Sequence, residues 1–191
     1  MIKTDEIISK IEKYASLDLM EPWDNSGWQI NLHHGYTNRV LIALSLTKET
    51  LSEAITNDCD LIITHHPLIF DKLSKIDSSI IVEAIKHNIC VYSAHTNLDK
   101  TYGSTTDALA GVLGFKNLVT VDEYIKIAHL KDEIDLMELL TGVKQAVGSE
   151  RIKLINPSNI ETVRNVALCA GAGGSSIKKL REYDVDLYIT G

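Results

Sequence analysis

The stretch Asp60-Leu61-Ile62-Ile63-Thr64-His65-His66-Pro67 is a short apolar run that ends in two adjacent imidazoles and a proline. It is too short for a helix of its own, and Pro67 blocks continuation, so it reads as a buried strand that delivers His65 and His66 to its carboxyl end. A second run, Ile89 to Ala94, leads into His95-Thr96-Asn97-Leu98-Asp99 and would bring a third imidazole and a carboxylate to the same edge. Imidazole nitrogen and carboxylate oxygen together suit a divalent ion such as zinc, iron, manganese or nickel. His65, His66 and Asp99 are therefore the candidate ligands. Successive residues on a strand point to opposite faces, which favours two ions, one per histidine, over a single shared one. Two ions about 3.5 to 4 Å apart polarise a substrate oxygen and supply hydroxide near neutral pH, the chemistry of many hydrolases. His95 is a candidate catalytic group, open to three roles: another ligand, a proton shuttle, or a partner that orients a ligand. The competing reading of His-His-Pro alone is a loop at the edge of the core. His33, His34, His87 and His129 lack such convergence, which leaves them surface or packing roles.

Those strand ends need a scaffold, and its pattern is an alternation. Strand Val40 to Leu46, helix Lys48 to Asn57, strand Asp60 to Thr64, helix Ser78 to His87, strand Ile89 to Ala94 and helix Thr105 to Leu113 succeed one another. Short strands alternating with helices specify an α/β fold with parallel βαβ units, which bind ligands at the carboxyl ends of their strands. Ahead of them, Thr4 reads as the cap of an amphipathic helix carrying Ile7, Ile8, Ile11, Tyr14 and Ala15. Glu21 to Trp28 reads as an ordered loop whose two tryptophans cover the core edge.

Farther on, Tyr124 to Leu130 and Arg151 to Ile155 alternate like strands, and Glu133 to Val147 has helical spacing. Val166 to Ala170 runs into Gly171-Ala172-Gly173-Gly174-Ser175-Ser176, then a helix to Tyr183 and a last strand, Asp186 to Thr190. Strand, glycines and helix in that order could present amide N–H groups to a phosphate, with Gly171, Gly173, Gly174 and Ser175 as the candidates. A tight turn that simply requires glycine is the alternative. The expected division is two similar βα halves with mainly parallel sheets, 1–117 and 118–191.

Charge and composition exclude some functions. Twenty-six acidic and nineteen basic residues among 191 give a formal charge of −7, which argues against binding nucleic acid through its phosphates. The three cysteines, Cys59, Cys90 and Cys169, have no C-x-x-C spacing and read as buried thiols in a reducing cytoplasm. Met1 to Ser16 is neither a signal peptide nor a membrane span.

Four separated motifs then carry a resemblance. Trp23-Asp24-Asn25-Ser26-Gly27, Ile63 to Phe70 around His-His-Pro, Tyr92 to Asp99, and Gly171-Ala172-Gly173-Gly174 with Tyr188-Ile189-Thr190-Gly191 together resemble the Nif-three-like family, whose members are often labelled GTP cyclohydrolase 1 type 2 homologues. The resemblance implies two similar α/β halves, a toroidal homohexamer and two divalent metal ions per subunit, with family ligands falling on His65, His66 and Asp99 and with His95 beside them. It further implies a histidine and a glutamate ligand beyond the Ile-Thr-Gly strand, so the chain is expected to be truncated after Gly191. The compact family form, without an inserted middle domain, fits the short run from Leu118 to Asn156. Ser45 stands where the family commonly has aspartate, and Thr106 where asparagine usually precedes Asp107; each would alter hydrogen bonding behind the site. The implied function is metal-dependent hydrolysis of a nucleotide-like small molecule in the cytoplasm. The alternatives are a non-catalytic, metal-stabilised assembly or regulatory protein and, more weakly, nucleic-acid binding inside the ring.

Overall fold

Leu61 and Ile62 have no solvent exposure and face opposite ways, which fixes the first layer arrangement. Leu61 packs with Ile8, Cys90 and Tyr92 on one face, and Ile62 with Leu51, Ala54, Ile81, Ala84 and Val91 on the other. The computed structural model describes residues 1–191, which fall into two units, Met1–Thr101 and Tyr102–Gly191.

The first unit runs β1 (Ile2–Lys3), α1 (Thr4–Tyr14), β2 (Gly27–Ile30), β3 (Tyr36–Thr37), β4 (Val40–Ala43), α2 (Lys48–Thr56), β5 (Leu61–Thr64), α3 (Ser79–Lys86), β6 (Cys90–Ser93) and the single turn α4 (Thr96–Asp99). Its main sheet has the order β2-β6-β5-β4, with β4, β5 and β6 parallel and β2 antiparallel at one edge. Helix α1 covers one face, while α2 and α3 cover the other. Thr47 and Thr50 cap α2 reciprocally, each side chain accepting from the other's amide. Ala43, Thr64 and Ser93 lie side by side in register, so β4, β5 and β6 end level and the residues after them emerge at one edge.

The second unit comprises α5 (Thr105–Val112), β7 (Leu118–Thr120), β8 (Lys126–Asp135), α6 (Leu136–Ala146), β9 (Thr162–Cys169), a run of 3-10 turns over Gly173–Glu182, and β10 (Leu187–Thr190). Its sheet order is β10-β9-β8-β7, and only β9 and β10 are parallel. The expected mainly parallel arrangement thus holds for the first sheet alone. β7 and β8 are joined by the short connection 121–125, which permits a hairpin but no parallel crossover.

Other local differences have identifiable causes. The division falls after Thr101 rather than after residue 117, because Ala110 of α5 and Phe115 are buried with Leu136, Leu139, Val163 and Val166 of the second unit. Thr4 is not the cap of α1; Lys3 holds that position, and Thr4 is buried with its hydroxyl 2.9 Å from that of Thr37. β8 continues to Asp135, whose side chain accepts from the Glu138 amide and starts α6, so the first residues of the expected helix are strand. Arg151 to Ile155 alternates in sequence but has no regular structure and pairs with no strand. Of the two tryptophans only Trp28 covers the core, edge-on to Tyr92 at 5.4 Å, whereas Trp23 is 59% exposed. Cys90 and Cys169 are buried and Cys59 is half-buried, all three as free thiols. No helix is long and apolar enough to cross a membrane.

Candidate metal centre

The level ends of β5 and β6 bring His65, His66 and His95 together, with their ligating nitrogens all within 4.8 Å of one another. Backbone hydrogen bonds hold the first two in place: the His65 amide donates to Ala43 (3.2 Å) and the His66 amide to Leu44 (2.9 Å). The buried Thr64 hydroxyl donates to the His66 carbonyl at 2.8 Å and lies 2.7 Å from the Ser93 hydroxyl, which ties β5 to β6 just inside the site. Where the strand gives way to the turn at Pro67 the pleat no longer sets side-chain direction, and the His65 and His66 rings come to 5.2 Å. Adjacent histidines therefore do converge.

Proton positions follow from the partners. The carbonyl of Ala94 only accepts, so His65 Nδ1, 2.9 Å away, carries a proton, and in the neutral ring Nε2 is the ligating atom. His95 Nδ1 likewise donates to the Asp24 carboxylate at 2.8 Å, so that in the neutral ring Nε2 is the ligating atom. A carboxylate or carbonyl behind each imidazole fixes its tautomer and raises its basicity as a ligand. His66 Nδ1 lies 2.7 Å from the Ser45 hydroxyl. Partial desolvation of the His66 ring, then the neighbouring His65 and His95, lower its pKa against the opposing pull of Asp99, so its neutral, metal-binding form is favoured.

Asp99, on α4, places a carboxylate oxygen 3.7 Å from His65 Nε2. Two ligands about 2.1 Å from one tetrahedral ion lie about 3.4 Å apart, so this spacing needs little adjustment. The donor set, three imidazoles and a carboxylate, fits a transition-metal ion of the zinc, iron, manganese or nickel type. Of the sequence candidates, His65, His66 and His95 thus reach one place, and Asp99 lies beside His65.

Asp24 is the group that sequence reasoning passed over. It sits in the Trp-Asp-Asn-Ser-Gly segment and is buried, where its carboxylate accepts from Asn25 N (2.7 Å), Ser26 Oγ (2.7 Å), Thr96 N (3.1 Å), Thr96 Oγ1 (2.6 Å) and His95 Nδ1. Burial alone would raise its carboxyl, but the hydrogen bonds from Thr96, His95, Ser26 and Asn25 outweigh it and hold the pKa at about 2. In sequence it is an acid in a turn, 71 positions from His95. Asn97, also buried, donates to the Ala15 carbonyl at 2.8 Å and anchors the His95 segment on the end of α1.

The glycine loop belongs to the second unit and closes on itself. Gly171 has φ +75°, and its carbonyl accepts from the amides of Gly173 and Gly191 and from the Thr190 hydroxyl. The Gly173 amide also donates to Thr190 Oγ1 at 2.8 Å, and Tyr188 donates to the Gly173 carbonyl at 2.9 Å. Gly171 and Gly173 therefore spend these groups on a turn, while Gly174 and Ser175 are exposed. Thr106 joins the end of the same strand to its surroundings, accepting from Ala170 N and donating to Tyr124 O. Elsewhere His87 pairs with Glu83 and His129 with Asn165, and neither is part of the histidine cluster.

Fold and site together define an α/β protein with an imidazole cluster able to hold a metal ion at the carboxyl edge of a parallel sheet. The chain belongs to the Duf34/NIF3 (NGG1p interacting factor 3) family, whose profile matches residues 2–191. It is 30% identical over 203 residues to a "GTP cyclohydrolase 1 type 2 homolog" of Clostridium perfringens, covering 100% of this chain and 77% of that protein. A "NIF3-like protein 1" of Drosophila melanogaster is 25% identical, covering 99% of this chain and 69% of that protein. Among solved structures, a Bacillus cereus protein related to NIF3 superposes with a TM-score of 0.92 at 23% identity, over 99% of this chain and 82% of that one. Reduced HcgD from Methanocaldococcus jannaschii superposes at 0.85 with 28% identity, over 100% and 78%.

Proposed function

We propose that His65, His66, His95 and Asp99 hold divalent transition-metal ions, and that the loaded site hydrolyses a nucleotide-like small molecule. The observation that carries this reading is the convergence of three imidazoles, two of which have their protons committed to acceptors on the side away from the cluster. A bound divalent ion would supply Lewis acidity and lower the pKa of a coordinated water. The chain's own part is to fix the donors. Ala94 and Asp24 set two tautomers, Ser45 contacts the third ring, and Thr64 with Ser93 keeps the strand ends level. The hydrolytic and nucleotide elements draw on the name of the Clostridium perfringens relative, a GTP cyclohydrolase 1 type 2 homolog. Incubating the metal-loaded protein with GTP and following ring opening and phosphate release tests it. Turnover that is lost in His95→Ala supports the reading, and no turnover with any of the four metals contradicts it.

A second reading, a metal-stabilised assembly without turnover, rests on a different feature. Edge strand β4 leaves Ile42 79% exposed, and Leu44, the residue that follows the strand, is 65% exposed, an apolar strip with an open sheet edge beside it. Burial of that strip in a homohexamer would account for it. Light scattering with and without chelator, on the wild type and on Ile42→Lys, separates this reading from the first.

A further inference from the structure

Trp23 and Phe70 are exposed side by side, 59% and 51%, with ring centroids 6.0 Å apart and planes inclined by 33°. Each is also edge-on to the His95 ring, at 6.3 and 6.4 Å, so the pair stands at the rim of the histidine cluster. Large apolar side chains scattered singly on a surface need no explanation, but here the backbone beside the pair is fixed by polar side chains, one of them buried. The Asn25 side chain donates to the Ile69 carbonyl at 2.6 Å, and Gln29 Oε1 accepts from the Ile69 amide at 2.9 Å. Gln29 is buried and is itself oriented by the Asn25 and Gly27 carbonyls, to which its Nε2 donates. Both backbone groups of the residue before Phe70 are thus clamped to the segment that carries Trp23. Rigid placement of two aromatic rings in water gains nothing for the fold, whereas it pre-organises a stacking surface.

We propose that Trp23 and Phe70 form a recognition wall for the flat, unsaturated ring of a ligand whose donor atoms reach the His65, His66 and His95 cluster. At 6.0 Å the two rings already touch, so the ligand ring lies across their exposed sides rather than between them. The inference rests on the metal-site reading for the direction the ligand points, and on the aromatic pair alone for its ring. The ligand class is a planar heteroaromatic bearing ring nitrogen or carbonyl oxygen, since a flat π-face stacks on the two rings while its ring atoms supply donors to the cluster.

The test is calorimetric titration of guanosine, with ribose as the ring-free control, into metal-free and zinc-loaded protein, for the wild type, Trp23→Leu and Phe70→Leu. Guanosine should bind and ribose should not, and each substitution should weaken guanosine by at least about 5-fold, the low end of what one base–aromatic stack contributes. Equal guanosine affinity in all three proteins overturns the wall, as does ribose binding as tightly as guanosine. A change in oligomer size in the variants with guanosine affinity unchanged overturns it in favour of a subunit contact. The two readings fail separately. Zinc held without guanosine binding removes the wall and leaves the metal centre; guanosine bound by protein that holds no zinc does the reverse.

Discussion

His95 Nδ1 and the Asp24 carboxylate lie 2.8 Å apart, although 71 residues separate them in sequence. The contact joins a turn that precedes the first strand of the main sheet to the end of the last one. It also sets which nitrogen of His95 faces the cluster.

Replacing Asp24 with asparagine keeps the shape and removes the charge. An amide cannot accept from Ser26, Thr96 and His95 all together, so His95 loses its fixed tautomer and buried donors lose their acceptor. Metal affinity is expected to fall about 10- to 100-fold. Thermal stability should drop by about 1–3 kcal/mol for the groups left unsatisfied. Competition against a metal indicator, with a melting curve on the same sample, measures both, and unchanged affinity would remove Asp24 from the site.

Ser45 offers the opposite experiment. Its hydroxyl lies 2.7 Å from His66 Nδ1, where an aspartate would make a charge-assisted bond to the imidazole N–H. Ser45→Asp should therefore tighten metal binding by up to about 10-fold, and Ser45→Ala should weaken it. The same competition titration reads the result; identical affinities would mean that nothing behind His66 matters.

Gly173→Ala tests the structural role of the glycine loop. A Cβ there would collide with the Tyr188 hydroxyl and approach Thr190 Oγ1 to 2.6 Å and Cys169 Cβ to 2.9 Å. Overpacking of this kind costs about 1–3 kcal/mol, which urea denaturation resolves. Full stability in the variant would show that the turn has room to move.

Acid should weaken the second unit through Asp107. Burial raises its carboxyl, but Lys126 at 2.5 Å and the Ser104 amide and hydroxyl outweigh that and leave the pKa lowered. A depressed folded-state pKa contributes stability that is fully present above the unfolded value, about 3.9, and is lost as pH falls through the folded one. Asp107→Asn should thus be less stable than wild type at pH 7, with the gap closing below about pH 4. A constant gap from pH 7 to pH 3, followed by chemical denaturation, would contradict this.

Much of the site was legible because it lies on short buried strands with few alternatives. Asp60 to Thr64 and Ile89 to Ala94 read as buried strands, and His65 and His66 follow the first at its carboxyl end, as His95 and the turn to Asp99 follow the second. Asp24 was not legible, since a carboxylate in a turn acquires its role only from the partners that the fold brings to it. The convergence of His65 with His66 was also missed: strand alternation stops where the strand stops, at the turn into Pro67. In the second unit, Arg151 to Ile155 had the right alternation and no neighbour, and pairing decides what a strand becomes.

The most direct measurement is metal content after equilibrium dialysis against zinc, iron, manganese or nickel, for the wild type and for His65→Ala, His66→Ala and His95→Ala. The account predicts at least one tightly held ion per chain in the wild type, with clear loss in each variant while the fold is retained by circular dichroism. Absence of bound ion in the wild type, or binding that is indifferent to His95→Ala, would contradict it.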